Sequence, residues 1–285
     1  MTRATYSEAR LADHVDRLGA EHPPIDLASV DFTVRRPDEL NHRYGHVLDY
    51  MARVELEVDR NVLELTTLLP DPPAIDRRFY ADVWQPQEIR HGLILDELQV
   101  QLGRPAATPD LTTVGAKLRV LGALAHLTAF QDVCRMLYYL TGMATERSAV
   151  LAYNLLHDGV AAMGETAVAQ TVIAPIRRQE PGHYAFYMLS ARGLWQQLAG
   201  WQRWTVRRMR ALSFAPVGAN DARQAADFGA VMRSLHAGAP DDFAEQISRV
   251  ERDLLWAHRS GLRVPPYVAK AFREAVELAH LRRPA

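Results

Sequence analysis

Trp84-Gln-Pro-Gln-Glu88-Ile-Arg-His91-Gly92-Leu-Ile-Leu-Asp96-Glu97-Leu98 is the stretch from which the rest of the chain can be read. Glu88 and His91 are three positions apart, so a helix stacks them on one face. A carboxylate and an imidazole turned inward together form a pair of transition-metal ligands. The spacing Glu-x-x-His is short and must be weighed against chance. With 15 Glu and 11 His in the chain, random placement gives roughly 0.6 matches. Four occur: Glu39/His42, Glu88/His91, Glu180/His183 and Glu277/His280.

Helix lengths sort the four. Pro37-Asp38-Glu39 reads as a first turn, with proline at N1 and acids at the positive end. Its helix carries Val47, Leu48, Met51, Val54, Val58, Val62 and Leu65 up to a stop at Pro70–Pro73. A second helix runs from about Asp76 to Gly103-Arg104-Pro105, with a kink expected at Pro86. Glu55 lies 15 residues before Pro70 and Glu88 lies 12 after Asp76. At 1.5 Å per residue these arms are about 22 and 18 Å, so the two carboxylates meet across an antiparallel hairpin. Glu146 sits on a helix fading near Asp158-Gly159, and Glu180 on the helix that starts at Gly164-Glu165 and continues towards Met209. That second hairpin nearly matches the first. Two copies of Glu, hairpin, Glu-x-x-His give the pseudo-twofold a two-metal site needs. Glu39/His42 and Glu277/His280 have no partner half that can hold a mid-helix ligand, and read as surface charge at helix ends. On the first helix Glu55 shares a stripe with Met51, Val58 and Val62, while Glu57 lies beside Arg53 and Arg60. Glu55 is the ligand chosen, with Glu57 as its alternative.

Around this core the pattern is helical throughout. Residues 1–20 are weakly amphipathic, 25–36 read as an irregular arm, and 111–141 as a long apolar helix. Shorter helices are expected at about 221–236, 240–259 and 266–281. No strand-type alternation is present. The expectation is a single all-α domain over 1–285, with a core bundle at about 37–210 and accessory C-terminal helices at 221–281. Of the residues 48% are hydrophobic and 24% charged, and the net charge is -1, which disfavours a nucleic-acid binder. Cys134 is the one cysteine, so disulfides and thiolate metal sites are excluded and a cytoplasmic setting is expected. Neither a signal-peptide core nor an apolar run long enough for a membrane span is seen.

The segment VWQPQEIRHGLILDELQVQLGR resembles the W-x-x-E-E-N-R-H-G-x-L-L-x-x-Y-L-x-x-x-G-R segment of the soluble acyl-carrier-protein desaturases. ERSAVLAYNLL from Glu146 and RRQEPGHYAFY from Arg177 resemble, more loosely, two further ligand helices of that family. The likeness covers roughly residues 40–210. It implies a ferritin-like four-helix bundle with a non-haem di-iron centre (manganese is an alternative in either site) that uses dioxygen and electrons from a ferredoxin. It implies an acyl chain held as a thioester on acyl carrier protein, a role in fatty acid metabolism, and a homodimer. It gives Glu55, Glu88, His91, Glu146, Glu180 and His183 as ligands, with Glu88 and Glu180 bridging and Glu55 and Glu146 terminal. Departures stand near the oxygen site. Gln179 replaces an Asp that would orient an imidazole, Ala149 replaces a Thr, and Pro181-Gly182 is expected to distort its turn. A monooxygenase acting as a hydroxylase or N-oxygenase, or a non-enzymatic ferritin-like metal-binding protein, are the other readings.

Further expectations are less specific. Leu118, Leu121, Leu124, Leu127, Phe130 and Leu137 are a candidate substrate wall or plain core. Tyr138, Tyr139, Tyr153 and Tyr187 are structural or relay electrons. His126 and His157 are solvated, capped or close to the ligands. Arg203, Arg207 and Arg210, beside Arg208, form either a solvated stripe or a docking patch for an acidic carrier.

Overall fold

Proline at the first position and Asp38 and Glu39 in the first turn open α2 (Pro37–Leu56), the first of four helices that converge on one point. The computed structural model describes residues 3–69, 71–111, 116–219 and 221–282. Its described residues are helices and connecting turns, with no strand among them. α1 (Arg3–Glu21) precedes α2 across an irregular arm, and α3 (Val58–Leu68) follows it after a break at Glu57. One helix was expected over that span. The backbone of Glu57 leaves helical geometry (φ -80°, ψ 6°), and its carboxylate is gripped by Arg53 and Arg60.

α4 (Ala74–Arg78) runs through a wide π-helical turn, Phe79–Trp84, into α5 (Gln85–Gln101). The expected kink at Pro86 takes this form. The N–H of Gln85, one residue before the proline, reaches back five residues to the Tyr80 carbonyl. The second half repeats the device. Val168–Ile173 is a π turn, Ala174 N–H reaches the Ala169 carbonyl, and Pro175 follows in α8 (Ala174–Gln197). α8 continues through Pro181 without a break. Gly182 lets α1 approach, since a Cβ there would lie 2.3 Å from Leu18 Cδ1.

The expected 111–141 helix is really two. α6 (Ala116–Ala125) ends before a turn at His126-Leu127, and α7 (Thr128–Ala162) then runs unbroken for 35 residues through Glu146. Thr141-Gly142 does not stop it, because Gly142 is a contact point: a Cβ there would sit 2.2 Å from the Tyr187 ring. The helix expected to reach Met209 ends at Gln197, and α9 (Gly200–Ser213) is separate. α10 (Ala222–Ser234), α11 (Pro240–Leu255) and α12 (Pro266–Leu281) complete the chain.

α2 packs along α5 and α7 along α8, and α10 bridges α2 and α12. Two apolar cores result. One gathers Leu48, Ala52, Ile94, Tyr153, Val172 and Phe228; the other gathers Val58, Phe79, Trp84, Met143, Phe186 and Val206. On α2, α5, α7 and α8 the residues between these cores include Glu55, Glu88 with His91, Glu146, and Glu180 with His183. The sequence therefore puts its charged positions at mid-height on four helices and seals them above and below with apolar side chains.

Candidate metal centre

The six side chains named from the sequence come together. All are buried: Glu55 is 9% exposed, Glu88 5%, Glu146 3%, Glu180 1%, and His91 and His183 0%. They form two overlapping groups, Glu55–Glu88–His91–Glu180 and Glu88–Glu146–Glu180–His183, each with one donor atom per residue within 4.8 Å of the others. Glu88 and Glu180 belong to both. Glu88 turns Oε1 to His183 Nδ1 (2.8 Å) and Oε2 to His91 Nδ1 (3.7 Å). Glu180 turns Oε1 to His91 Nδ1 (3.2 Å) and Oε2 to His183 Nδ1 (3.8 Å). Glu55 approaches only His91, at 3.9 Å, and Glu146 only His183, at 3.7 Å.

The other four positions behave differently. Glu39 pairs with Arg36 at the surface, and His42, Glu277 and His280 are exposed. Glu57 points away from the cluster and accepts from Arg53 (2.8 Å) and Arg60 (2.7 Å).

Reciprocal glutamines hold the imidazoles. Gln87 Oε1 lies 2.6 Å from His183 Nε2, and Gln179 Oε1 lies 2.6 Å from His91 Nε2. Each glutamine precedes one Glu-x-x-His motif and serves the histidine of the other. Their amide orientation is fixed from behind. Gln87 Nε2 donates to the His22 carbonyl (2.5 Å), and Gln179 Nε2 to the carbonyls of Pro23 (2.8 Å) and His22 (3.4 Å). The glutamine oxygens must therefore accept, so each Nε2 carries hydrogen and each neutral imidazole presents an Nδ1 lone pair to the cluster. Sequence reading missed Gln87, and it treated Gln179 as a weakened partner of its own motif. The clue was the Gln-Glu-x-x-His repeat itself. Two more donors fix the outer carboxylates: Tyr153 Oη to Glu55 Oε1 (2.6 Å) and Trp84 Nε1 to Glu146 Oε1 (3.1 Å).

The arrangement calls for a cation. His91 Nδ1, His183 Nδ1, Glu88 Oε1 and Glu180 Oε1 are buried and make no hydrogen bond. Lone pairs facing lone pairs in a dry interior repel unless protons or metal ions stand between them. Without metal, protons are the only remedy. Burial alone would lower the His91 pKa, but the carboxylates of Glu180 and Glu88 outweigh it and carry it up to about 9. Burial pushes Glu146 up to about 8 and raises Glu55 as well. For Glu88 burial acts upward too, yet the hydrogen bond with Glu55 and the nearby His183 leave it well below the usual carboxylate range. Four carboxylates and two imidazoles, with no thiolate, suit two divalent ions such as iron or manganese.

Several of the less specific expectations are now decided. Tyr139 donates to buried Asp76 rather than to the cluster. Tyr80 meets Trp84 and Tyr138 edge-on, and Tyr187 is tilted against Tyr80 and Tyr138. His126 is exposed, and His157 meets Asp158 and Arg177. Of the proposed wall, the side chains of Leu118 and Leu121 lie outside the described residues; Leu127 is 55% exposed and Leu137 is core. The arginine stripe is not a continuous surface. Arg210 is buried on Glu251, Arg207 donates to the Leu255 carbonyl and Arg203 to that of Trp195.

Fold and site together define an all-α protein with a buried carboxylate–imidazole cluster able to hold metal. No family model, curated protein or solved structure matches the chain. Among the described residues no helix is long and apolar enough to cross a membrane.

Proposed function

We propose that this chain is a dimetal, dioxygen-dependent oxidoreductase of the ferritin-like type, with iron in both sites and with the acyl-carrier-protein desaturases as a functional analogue. The observation that carries the reading is the sharing of Glu88 and Glu180, each with one oxygen towards each imidazole. Glu88 and Glu180 would each help to hold both ions, and Glu55 and Glu146 would each help to hold one. Such a centre, when loaded and reduced, supplies the dioxygen activation and hydrogen removal from an unactivated C–H bond that side chains alone cannot perform. The protein's part is positional. Gln87 and Gln179 hold both imidazoles with Nδ1 inward, Tyr153 and Trp84 orient the terminal carboxylates, and the two apolar cores keep bulk water away.

The analogy supports an acyl thioester on a carrier protein as substrate and a ferredoxin as electron donor. A second reading, oxygen insertion rather than desaturation, is supported by Ala149, which stands where the desaturase pattern carries a Thr. Metal analysis with a Mössbauer spectrum of iron-loaded protein tests the centre; two irons per chain are expected. Incubation with acyl carrier protein substrates, reduced ferredoxin and oxygen, followed by product analysis, separates alkene from alcohol. Protein that takes up no metal, or whose reduced metal consumes no oxygen, overturns the proposal.

A further inference from the structure

α9 is built the wrong way round for a helix packed on an apolar core. Its inner face buries Val206 together with an arginine, Arg210, which is 2% exposed and paired with Glu251. Its outer face carries Trp201, Trp204, Arg208 and Leu212, which helical spacing sets on one stripe. Trp201 is 47% exposed, Trp204 59% and Leu212 80%. The patch continues beyond the helix. Gln202 Nε2 donates to the Ala129 carbonyl (3.1 Å), and the Trp201 ring meets that of Phe130 edge-on, with centroids 5.5 Å apart. These contacts seat α9 against the turn before α7, where Leu127 is 55% exposed. Single apolar side chains at a surface need no explanation, but two indoles and a leucine on one stripe do.

Charge narrows the choice of what covers them. α9 holds four arginines and no acid. Arg210 has its carboxylate partner inside. Arg203 donates to the carbonyls of Trp195 and Gln196, and Arg207 to that of Leu255. Both guanidinium groups lie over the Trp195 ring, 5.6 and 5.3 Å from its centroid. Arg208 lies over Trp204 at 5.6 Å. These are contacts with neutral groups, so the cations keep their charge for something outside. Burial and then the neighbouring Arg203 lower the Arg207 pKa. Asp132, one turn into α7, is already paired with Arg135. A second copy seated on this face about a two-fold axis would set cation against cation. An acidic protein would answer the charge alone. A layer of phosphates over hydrocarbon answers the charge and the indoles together, because tryptophan rings settle at the level of lipid headgroups and arginine reaches the phosphates beside them.

We propose that α9 is a docking face for an anionic lipid bilayer, lying in the plane of the headgroups with Trp201, Trp204 and Leu212 inserted and Arg208 on the lipid phosphates. An amphipathic helix of this kind rests on a membrane without crossing it. The assignment is independent of the dimetal reading, since no residue of the stripe belongs to the cluster.

The full chain is mixed with vesicles of phosphatidylcholine alone, or of phosphatidylcholine with an equal share of phosphatidylglycerol. Bound protein is measured by sedimentation and by the blue shift of tryptophan emission. The anionic vesicles should bind about tenfold more tightly than the neutral ones, and the difference should shrink as salt is raised. Trp201→Ser combined with Trp204→Ser should weaken binding about tenfold, and Arg208→Glu about fivefold. Circular dichroism and melting temperature should stay close to those of the unaltered protein, which separates lost docking from lost folding. Equal binding to neutral and anionic vesicles, binding that both variants retain, or no binding at all would overturn the assignment. A dimer in solution that the double tryptophan variant splits would also overturn it, because a second copy would then cover the stripe.

Discussion

Glu88 and Glu55 differ in how many partners each serves, and that difference is testable. Glu88 is common to both groups of the cluster, whereas Glu55 belongs to one. Glu88→Ala should therefore abolish uptake of both metal ions, and Glu55→Ala should leave about one per chain, as read by elemental analysis after dialysis. Gln87 and Gln179 act through the histidines. Replacing either by alanine frees an imidazole to rotate, and metal affinity should drop roughly 10–100-fold in chelator competition. Gln179→Glu should not restore it, because a carboxylate would face the carbonyl oxygens of His22 and Pro23. Protonation sets the pH dependence. With His91 near 9 and Glu146 near 8 when metal-free, both groups hold protons at pH 7 and a metal ion must displace them. Metal addition in weak buffer at pH 7 should release protons, and release should fade above pH 9. Affinity should weaken as pH falls from 9. The six acids and imidazoles were legible in the sequence because helical spacing and hairpin length suffice to align them. Gln87 was not, because its partner is across the bundle and no local pattern records that register.

At the scale of the helices, the sequence showed where most elements begin and misjudged where several end. Proline and acidic first turns marked α2 correctly, and Gly103, at φ 78°, closes the segment after α5. The missed breaks carry no local signal: Glu57 leaves helical geometry while held by Arg53 and Arg60, and the chain breaks again at His126-Leu127 and after Gln197. Gly142 lies inside α7, and Gly182 inside α8, because both are points of close packing rather than termini. The two π turns were invisible, since a bond reaching five residues back leaves no composition signature. Packing at glycine also yields a prediction. A Cβ at Gly229 would lie 2.1 Å from the Ala275 carbonyl oxygen on α12, a backbone atom that cannot rotate away. Gly229→Ala should push α10 from α12 and destabilise the fold by about 1–3 kcal/mol. In thermal unfolding that is a loss of several degrees, at about 2–4 °C per kcal/mol for a chain approaching this size.

Over the whole molecule, four buried carboxylates sit between two apolar cores, and the folded state is under tension until they are neutralised. A metal ion held by the native cluster and not by the unfolded chain would raise the melting temperature. At a free concentration a hundred times Kd the gain is about 2.7 kcal/mol, and stripping with chelator should return it. If melting is unchanged by iron or manganese, the cluster is not a metal site. The all-α class was readable because apolar periodicity near 3.6 runs the length of the chain. The closed flank of the cluster was not, since it depends on an arm lacking periodicity that reaches the back of the bundle. That arm has a kinetic implication. The imidazole–amide chains terminate on peptide oxygens of His22 and Pro23, which carry no exchangeable hydrogen. Protons would reach the cluster more readily from the opposite flank, where Glu146 and Glu55 each border a chamber. Anything that filled those chambers would slow proton exchange at the cluster.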